Sequence, residues 1–189
     1  MKRNPSTLSR AAGFTLVEML VVVAIIAILA AILIPSLGGA QKATRKRKAE
    51  LECNAVKTAV EQFFSDFKYM PWGDPDDAKA RVGADKWTET PKEHEDVMKL
   101  LRGENKLSKA YLEISTRDTK SSSSEDEGVF YDPWKNYYRI GMDRNLDQQV
   151  GYTYGGSTKT YKARVLVLSC GPDGEEGTED DIRTFDIID

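Results

Sequence analysis

The sequence has few of the residues on which catalysis and covalent crosslinking depend. Its 189 residues include one histidine, His94, and two cysteines, Cys53 and Cys170. A single histidine excludes a multi-histidine metal site and makes Ser-His catalysis a poor prospect, and two cysteines are too few for a disulfide scaffold. The formal net charge is −3, so no overall basic field favours a nucleic acid partner. The sequence also has no nucleotide-binding loop.

Two interpretations of the cysteines remain open. They would form one disulfide in an oxidising compartment. Alternatively, Cys53 lies on the apolar face of a predicted helix, which favours a buried free thiol.

The longest apolar segment runs from Phe14 to Ile34, and Glu18 is its one charged residue. As a helix it would be about 30 Å long, roughly the thickness of a hydrocarbon core. A signal peptide has a shorter apolar run that small residues follow, whereas the small residues here, 11–13, come first. An ordinary membrane anchor is the simplest alternative. A carboxylate in such a segment usually marks function. Cleavage after Gly13 would expose an amine on Phe14 that suits Glu18 of a neighbouring copy.

The stretch GFTLVEMLVVVAIIAILAAILIP, at 13–35, closely resembles the N-terminal signature of type IV prepilins and type II secretion pseudopilins. The resemblance implies cleavage after Gly13 by a prepilin peptidase and N-methylation of Phe14. It also implies that Glu18 serves assembly and that Pro35 softens the helix. The expected organisation is a leader at 1–13 and a transmembrane and assembly helix at 14–35 in the bacterial inner membrane. An amphipathic continuation at 36–70 and a periplasmic head at 71–189 would follow.

One charge pattern conflicts with that orientation. The leader carries three basic residues, whereas the far flank carries five between Lys42 and Lys48. The positive-inside rule alone would therefore place the head in the cytoplasm, but the prepilin signature implies an exported head. The basic run is either a solvated helix face or a surface that pairs with acidic faces of neighbouring subunits.

The rest of the chain predicts an α+β fold, in which the long helix packs on a small antiparallel sheet as in type IV pilins. Apolar residues from Ala49 to Phe67 recur at helical spacing, and the helix should end near Met70 because Pro71 follows. A second helix is predicted within 91–104, with His94 on its polar side. Aromatic and β-branched runs within 128–169 predict three or four short strands.

Two segments of the head resemble parts of major pseudopilins. DPWKNYYRIGMD resembles the family's DPWGNPY stretch, although Lys135 replaces its glycine and Tyr137 its proline. SCGPDGEEGTEDDI has six acids and no base between Gly171 and Asp181. Such a loop suits Ca²⁺, which binds oxygen ligands, or is a solvated turn. Its resemblance to the calcium loop GADGQEGGEG…DADI implies Asp173 and Asp181 as ligands, with Asp180 a close competitor.

The turn DRNLDQQV places Asp143, Asn145 and Asp147 at alternate positions, like the start of an EF-hand. It lacks the glycine and the glutamate that complete such a loop. We therefore predict a polar hairpin turn there.

Three functions follow in order of support. The first is a structural subunit of a type II secretion pseudopilus, which implies as partners other copies of itself, other pseudopilins and an assembly platform. The second is a type IV pilin for adhesion, motility or DNA uptake, although such pilins commonly carry a C-terminal disulfide pair. The third is an anchored enzyme, for which the sequence offers no recognisable nucleophile, base or open metal site.

Overall fold

The computed structural model describes residues 14–73, 83–115, 128–154 and 156–186, and it describes no side chains at 33–37. The chain divides into two compact units, Met1–Ala43 and Thr44–Asp189. The predicted leader, including Gly13, lies outside the described residues.

The first unit contains the start of helix α1, which runs from Leu16 to Phe67. Its apolar side chains are largely exposed, including Leu16, Val23 and Ile32. Among the described residues, no helix combines the length and the hydropathy needed to cross a membrane. Membrane insertion of this segment therefore stays a prediction.

The second unit has an α+β fold with a small antiparallel sheet, as the sequence predicted, and this sheet has four strands. The strand order is β1-β2-β5-β6, and a separate antiparallel pair is formed by β3 and β4. Helix α2 spans Pro91–Leu101. The strands are β1 Lys86–Trp87, β2 Arg139–Met142, β3 Val150–Tyr154, β4 Ser157–Tyr161, β5 Val165–Ser169 and β6 Ile182–Arg183.

Strand β5 lies at the centre of the head and is buried along its whole length. Val165 and Val167 belong to the apolar cluster that contains the buried face of α1. Leu166 and Leu168 belong to a second cluster with residues of the β3–β4 pair. Alternate side chains of a strand point to opposite faces, so β5 reads as a continuous apolar run because both of its faces are covered. The α1 residues of the first cluster are Ala49, Cys53, Val56, Ala59, Val60 and Phe63.

The prediction for His94 was wrong, because the side chain is fully buried. His94, Val97, Met98 and Leu101 recur at i, i+3, i+4 and i+7, and all four are buried on one face of α2. Neither ring nitrogen makes a hydrogen bond within the described residues. Burial lowers the His94 pKa to about 3, although backbone groups of Tyr138 and Phe130 partly oppose the shift.

The turn at 143–149 is polar, as predicted, but it does not close a hairpin. It follows β2, which pairs with β1 and β5, and it precedes β3, which pairs with β4. Both oxygens of the buried Asp143 carboxylate accept backbone hydrogen bonds, from Asp147 at 3.1 Å and from Gln148 at 2.8 Å. The aspartate therefore holds the shape of the turn.

Candidate assembly helix and acidic loop

The start of α1 is capped by Thr15 and Glu18. The Thr15 backbone N–H donates to Glu18 Oε2 at 2.8 Å, and the Thr15 hydroxyl donates to the same oxygen at 2.6 Å. The Glu18 backbone N–H donates to Thr15 Oγ1 at 3.2 Å. These reciprocal bonds form a capping box, in which a threonine and a glutamate three residues later satisfy free donors at a helix start.

The capping box gives Glu18 a role within its own chain that the sequence analysis missed. The T-x-x-E spacing before an apolar run is a recognised signal for it. The cap engages one carboxylate oxygen, and no donor among the described residues reaches Oε1. Phe14, one residue before Thr15, is 72% exposed. The arrangement leaves one oxygen of Glu18 able to accept a hydrogen bond from another chain.

Pro35 lies within the range of α1, but its side chain is outside the described residues. The helix continues through this position to Phe67. A proline inside a helix lacks the N–H that would otherwise bond to the preceding turn. The softening role implied for Pro35 stays a prediction.

The acidic loop, residues 171–181, lies between β5 and β6. Its first residue, Gly171, has φ +63°, and a Cβ there would approach the Asp180 carbonyl oxygen to 2.5 Å. Only glycine fits such a position without displacing backbone. Close contact between the two ends of the loop therefore depends on Gly171.

The three predicted ligands of the loop have different surroundings. The Asp173 N–H donates to Asp180 Oδ2 at 3.3 Å, and the Thr178 hydroxyl donates to Asp180 Oδ1 at 2.7 Å. Hydrogen bonding, chiefly from Thr178, lowers the Asp180 pKa. The Asp181 side chain is fully buried, and its Oδ2 accepts the Gly177 N–H at 2.9 Å. Its Oδ1 is buried without a hydrogen-bond partner in the described part of the chain, and burial raises the Asp181 pKa.

The loop therefore brings Asp173 and Asp180 together on its exposed side and turns Asp181 inward. Across the described ranges, no three His, Cys, Asp or Glu side chains are grouped so that they could hold a metal ion.

Two arginines anchor the loop to the sheet. Arg139 of β2 forms an ion pair with Glu176 at 2.8 Å, and Arg183 of β6 lies 3.8 Å from Asp181. These contacts offset part of the repulsion among the six acids. The contact between Arg139 and Glu176 was not predicted, because the two residues are far apart in the chain.

The turn at 132–136, DPWKN, supports the loop from the other side. Asp132 accepts hydrogen bonds from the backbone of Trp134 and Asn136, and its second oxygen accepts the Ser169 hydroxyl at 2.6 Å. Asn136 Nδ2 donates to the Gly171 carbonyl at 2.8 Å. The two segments that resemble major pseudopilins are therefore in direct contact.

Lys135 has φ +81° in this turn. This is the position at which the resemblance led us to expect glycine, and the left-handed conformation is strained for a residue with a Cβ. Hydrogen bonds of Asp132 and Asn136 hold the turn on both sides of Lys135.

The cysteines are both buried free thiols, and no disulfide joins them. Cys53 Sγ lies 3.7 Å from the Ile182 carbonyl oxygen, where α1 meets the end of the acidic loop. Burial raises the pKa of Cys53, and it raises that of Cys170 to about 12. Both thiols therefore stay protonated and unreactive near neutral pH.

The long helix and the small antiparallel sheet are consistent with a type IV pilin-like fold. Residues 8–34 match the prokaryotic N-terminal methylation motif. Over nearly the whole chain, the protein is homologous to type II secretion system core protein G. It is 27% identical over 179 residues to that protein of Escherichia coli strain K12, covering 93% of this chain and 91% of the relative. The protein of Aeromonas hydrophila is 24% identical over 184 residues, covering 95% and 96%.

A third relative matches over a shorter range. The type IV major pilin protein PilA of Myxococcus xanthus strain DK1622 is 46% identical over 54 residues, which cover 29% of this chain and 24% of that pilin. No solved structure matches the chain. The motif and the two full-length relatives together support a major pseudopilin, as the sequence analysis predicted, and they suggest a membrane-anchored protein with a structural rather than an enzymatic role.

Proposed function

We propose that this protein is the structural subunit of a pseudopilus that drives type II protein secretion. The observation that carries the proposal is homology to core protein G along both the stem and the head. The match to a pilin covers only 54 residues, which are 29% of this chain. A type IV pilin is therefore the weaker alternative.

In this proposal, a prepilin peptidase cleaves after Gly13, and the new amine of Phe14 is methylated. The apolar stem anchors the subunit in the inner membrane, with the head in the periplasm. The exposed apolar side chains of α1 then pack against those of other copies as the filament grows, together with other pseudopilins on an assembly platform. The extensive apolar exposure of the N-terminal part of α1 supports this role, because monomeric soluble proteins rarely leave such patches uncovered.

Glu18 directs the assembly step. Its Oε2 caps the start of its own helix, and its Oε1 accepts a hydrogen bond from the Phe14 amine of a neighbouring copy. Charge-assisted hydrogen bonds are shorter and stronger than neutral ones, so the pair neutralises both groups and fixes the axial offset between two stems. An unpaired carboxylate in an apolar environment is costly, and this cost favours the paired register over others.

Calcium binds the acidic loop in the same proposal. Asp173 and Asp180 hold the ion on the exposed side, and carbonyl oxygens complete the shell. Asp181 contributes through its free oxygen if the loop closes around the ion. When bound, the cation neutralises neighbouring carboxylates and orders the loop.

Filament composition tests the proposal. The full chain is produced in a bacterium that has a type II secretion machinery, and filaments isolated from the cell envelope are analysed by intact mass. We expect a subunit that begins at Phe14 with a methylated amine, and none in a strain without prepilin peptidase. A filament subunit that still begins at Met1, or that has been cut after Pro35, would contradict the assignment.

A further inference from the structure

One face of α1 changes from buried apolar side chains to exposed basic ones at the edge of the head. Ala49 and Cys53 on this face are buried in the head. Arg45 and Lys46, four and three residues before Ala49, lie on the same face by helical periodicity and are exposed. The apolar stripe that packs on the sheet is therefore continued by two basic side chains beyond the edge of the core.

Nearby acids do not neutralise these two residues. Glu50 forms its ion pair with Arg47 at 3.0 Å, and Glu52 forms its own with Lys48 at 3.5 Å. Arg45 and Lys46 make no ion pair within the part of the chain that the structure describes. Arg47 and Lys48 thus have partners in their own chain, whereas the basic face formed by Arg45 and Lys46 does not.

The acidic loop carries carboxylates that lack an ion pair, which complement the basic face. Glu176 is engaged by Arg139, and Asp181 lies beside Arg183. Glu175 and Glu179 are exposed and form no ion pair with any described residue. Among the described residues, the acids of the loop without an ion pair therefore include Glu175 and Glu179, and the bases of the helix without one include Arg45 and Lys46.

The positions of the two surfaces along α1 suit a neighbour rather than the same chain. The loop joins the head at the level of Cys53, whose thiol contacts Ile182. Arg45 precedes Cys53 by eight residues, which is about 12 Å along a helix axis. A copy displaced by about that rise brings its loop beside the basic face of the first copy.

We propose that Arg45 and Lys46 of one subunit form ion pairs with Glu175 and Glu179 of an adjacent copy. This inference rests on the proposed function, because it requires copies stacked along a common axis. The pairs join each stem to the head of a neighbour, in addition to the contact between Glu18 and Phe14. They also give the basic run a role that does not depend on membrane orientation.

Charge reversal of the full chain in the secreting bacterium tests the pairing. Arg45→Glu with Lys46→Glu, or Glu175→Lys with Glu179→Lys, should lower the yield of isolated filaments about fourfold, since two exposed ion pairs are lost and each contributes a factor of roughly two. The combination of all four substitutions should restore at least half of the wild-type yield. The control pair Lys86→Glu and Arg102→Glu changes exposed basic residues elsewhere on the head, and its yield should match wild type.

A crosslink identifies the partner directly. Lys46→Cys and Glu179→Cys are placed in two differently tagged copies, and the natural thiols are protected by burial. We expect a crosslink that carries both tags, and none when Lys86→Cys replaces Glu179→Cys. Filaments of the two cysteine-bearing copies without this crosslink, or a variant with all four charge reversals that assembles no better than either double variant, would overturn the inference and leave the proposed function standing.

Two further outcomes are distinguishable. If the wild-type chain forms no filaments, the proposed function fails and the inference fails with it. The filament yield of the Arg45→Glu and Lys46→Glu variant could instead depend on the anionic lipid content of the cells. If Glu175→Lys with Glu179→Lys then fails to restore the yield, the partner of the basic face is a lipid headgroup. That result overturns the pairing between copies.

Discussion

Thr15 donates two hydrogen bonds to Glu18, and both end on Oε2. Glu18 can therefore cap its own helix while its other oxygen remains available to a neighbouring chain. The two roles can be separated by substitution, because capping requires only an acceptor at this position whereas pairing with an amine requires a charge.

Glu18→Gln should preserve the helix start and prevent filament assembly. The amide oxygen still accepts from Thr15, but the side chain no longer neutralises the Phe14 amine. We expect processed subunit in the membrane fraction and none in the isolated filament fraction, and immunoblotting measures both. Thr15→Val is the matched control. It weakens the cap by about 1 kcal/mol and should still assemble. The opposite pattern would show that the cap, and not the charge, is what assembly needs.

Lys135→Gly should stabilise the head. Lys135 has φ +81°, and the left-handed region costs a residue with a Cβ roughly 1–2 kcal/mol. Part of this gain is offset by the greater freedom of glycine in the unfolded chain, so we expect a net gain of about 1 kcal/mol in the free energy of unfolding. Urea denaturation measures it. Lys135→Ala removes the charge but keeps the Cβ, so its stability should stay near wild type, and an equal gain in both variants would locate the effect in the charge.

The head should lose stability as the pH falls below the ordinary histidine range. The unfolded chain binds a proton at His94 near pH 6.5, whereas the folded chain does so only near pH 3. The free energy of unfolding therefore falls between these values as the pH decreases, by at most about 1.4 kcal/mol per pH unit. Asp181 acts in the opposite sense near pH 4, because its folded pKa is raised.

Urea denaturation at pH 7, 6 and 5 tests this dependence. His94→Phe should show a smaller loss of stability between pH 7 and 5 than wild type, whatever its stability at pH 7. The comparison of slopes keeps the test independent of any packing defect in the variant. Equal slopes would mean that His94 takes up its proton in the folded state.

These residues show how far the sequence could be interpreted. Helical periodicity located α2 and the part of α1 in the head, and aromatic and β-branched runs located β2, β3 and β5. Strand β4 was missed, because it is mostly exposed and carries no such run. His94 lies three and four residues before Val97 and Met98, so helical spacing places it on their buried face. The prediction failed because it relied on the polarity of histidine. The two-residue strands β1 and β6 carry no periodic signal, and they form because β2 and β5 offer free edges.

Some features of the candidate sites could also be predicted from the sequence, and others could not. The family signature identified the stem, and composition identified the acidic loop. The contacts of the loop with Arg139 and Asn136 could not be predicted, because they depend on how β2 and β5 align. The positive φ at Lys135 was not predicted, although the family's glycine at this position is compatible with it.

Calcium should raise the melting temperature of the head. Residues 38–189 include the whole compact unit that begins at Thr44. A ligand that binds only the folded state at a hundredfold excess over Kd adds about 2.7 kcal/mol. We expect a higher Tm in millimolar Ca²⁺ than in chelator and a smaller rise with Mg²⁺, which requires a tighter octahedral shell.

Three variants define the calcium ligands. Asp173→Ala should abolish most of the calcium-dependent rise in Tm, and Asp143→Ala should leave it nearly intact, because Asp143 serves a separate turn. Asp181→Asn removes the charge of the buried carboxylate, so a full loss would show that the loop closes around the ion. An unchanged Tm for the wild-type head would mean that the loop is a solvated turn.

The central claim is that the chain serves secretion. Its most direct test is to delete the gene and measure, in the same strain, where exported hydrolases accumulate and whether surface motility and transformation persist. The account predicts hydrolase activity trapped in the periplasm, restored by the wild-type gene but not by Glu18→Gln, with motility and transformation unchanged. Normal hydrolase export together with lost motility or transformation would contradict it and identify a type IV pilin.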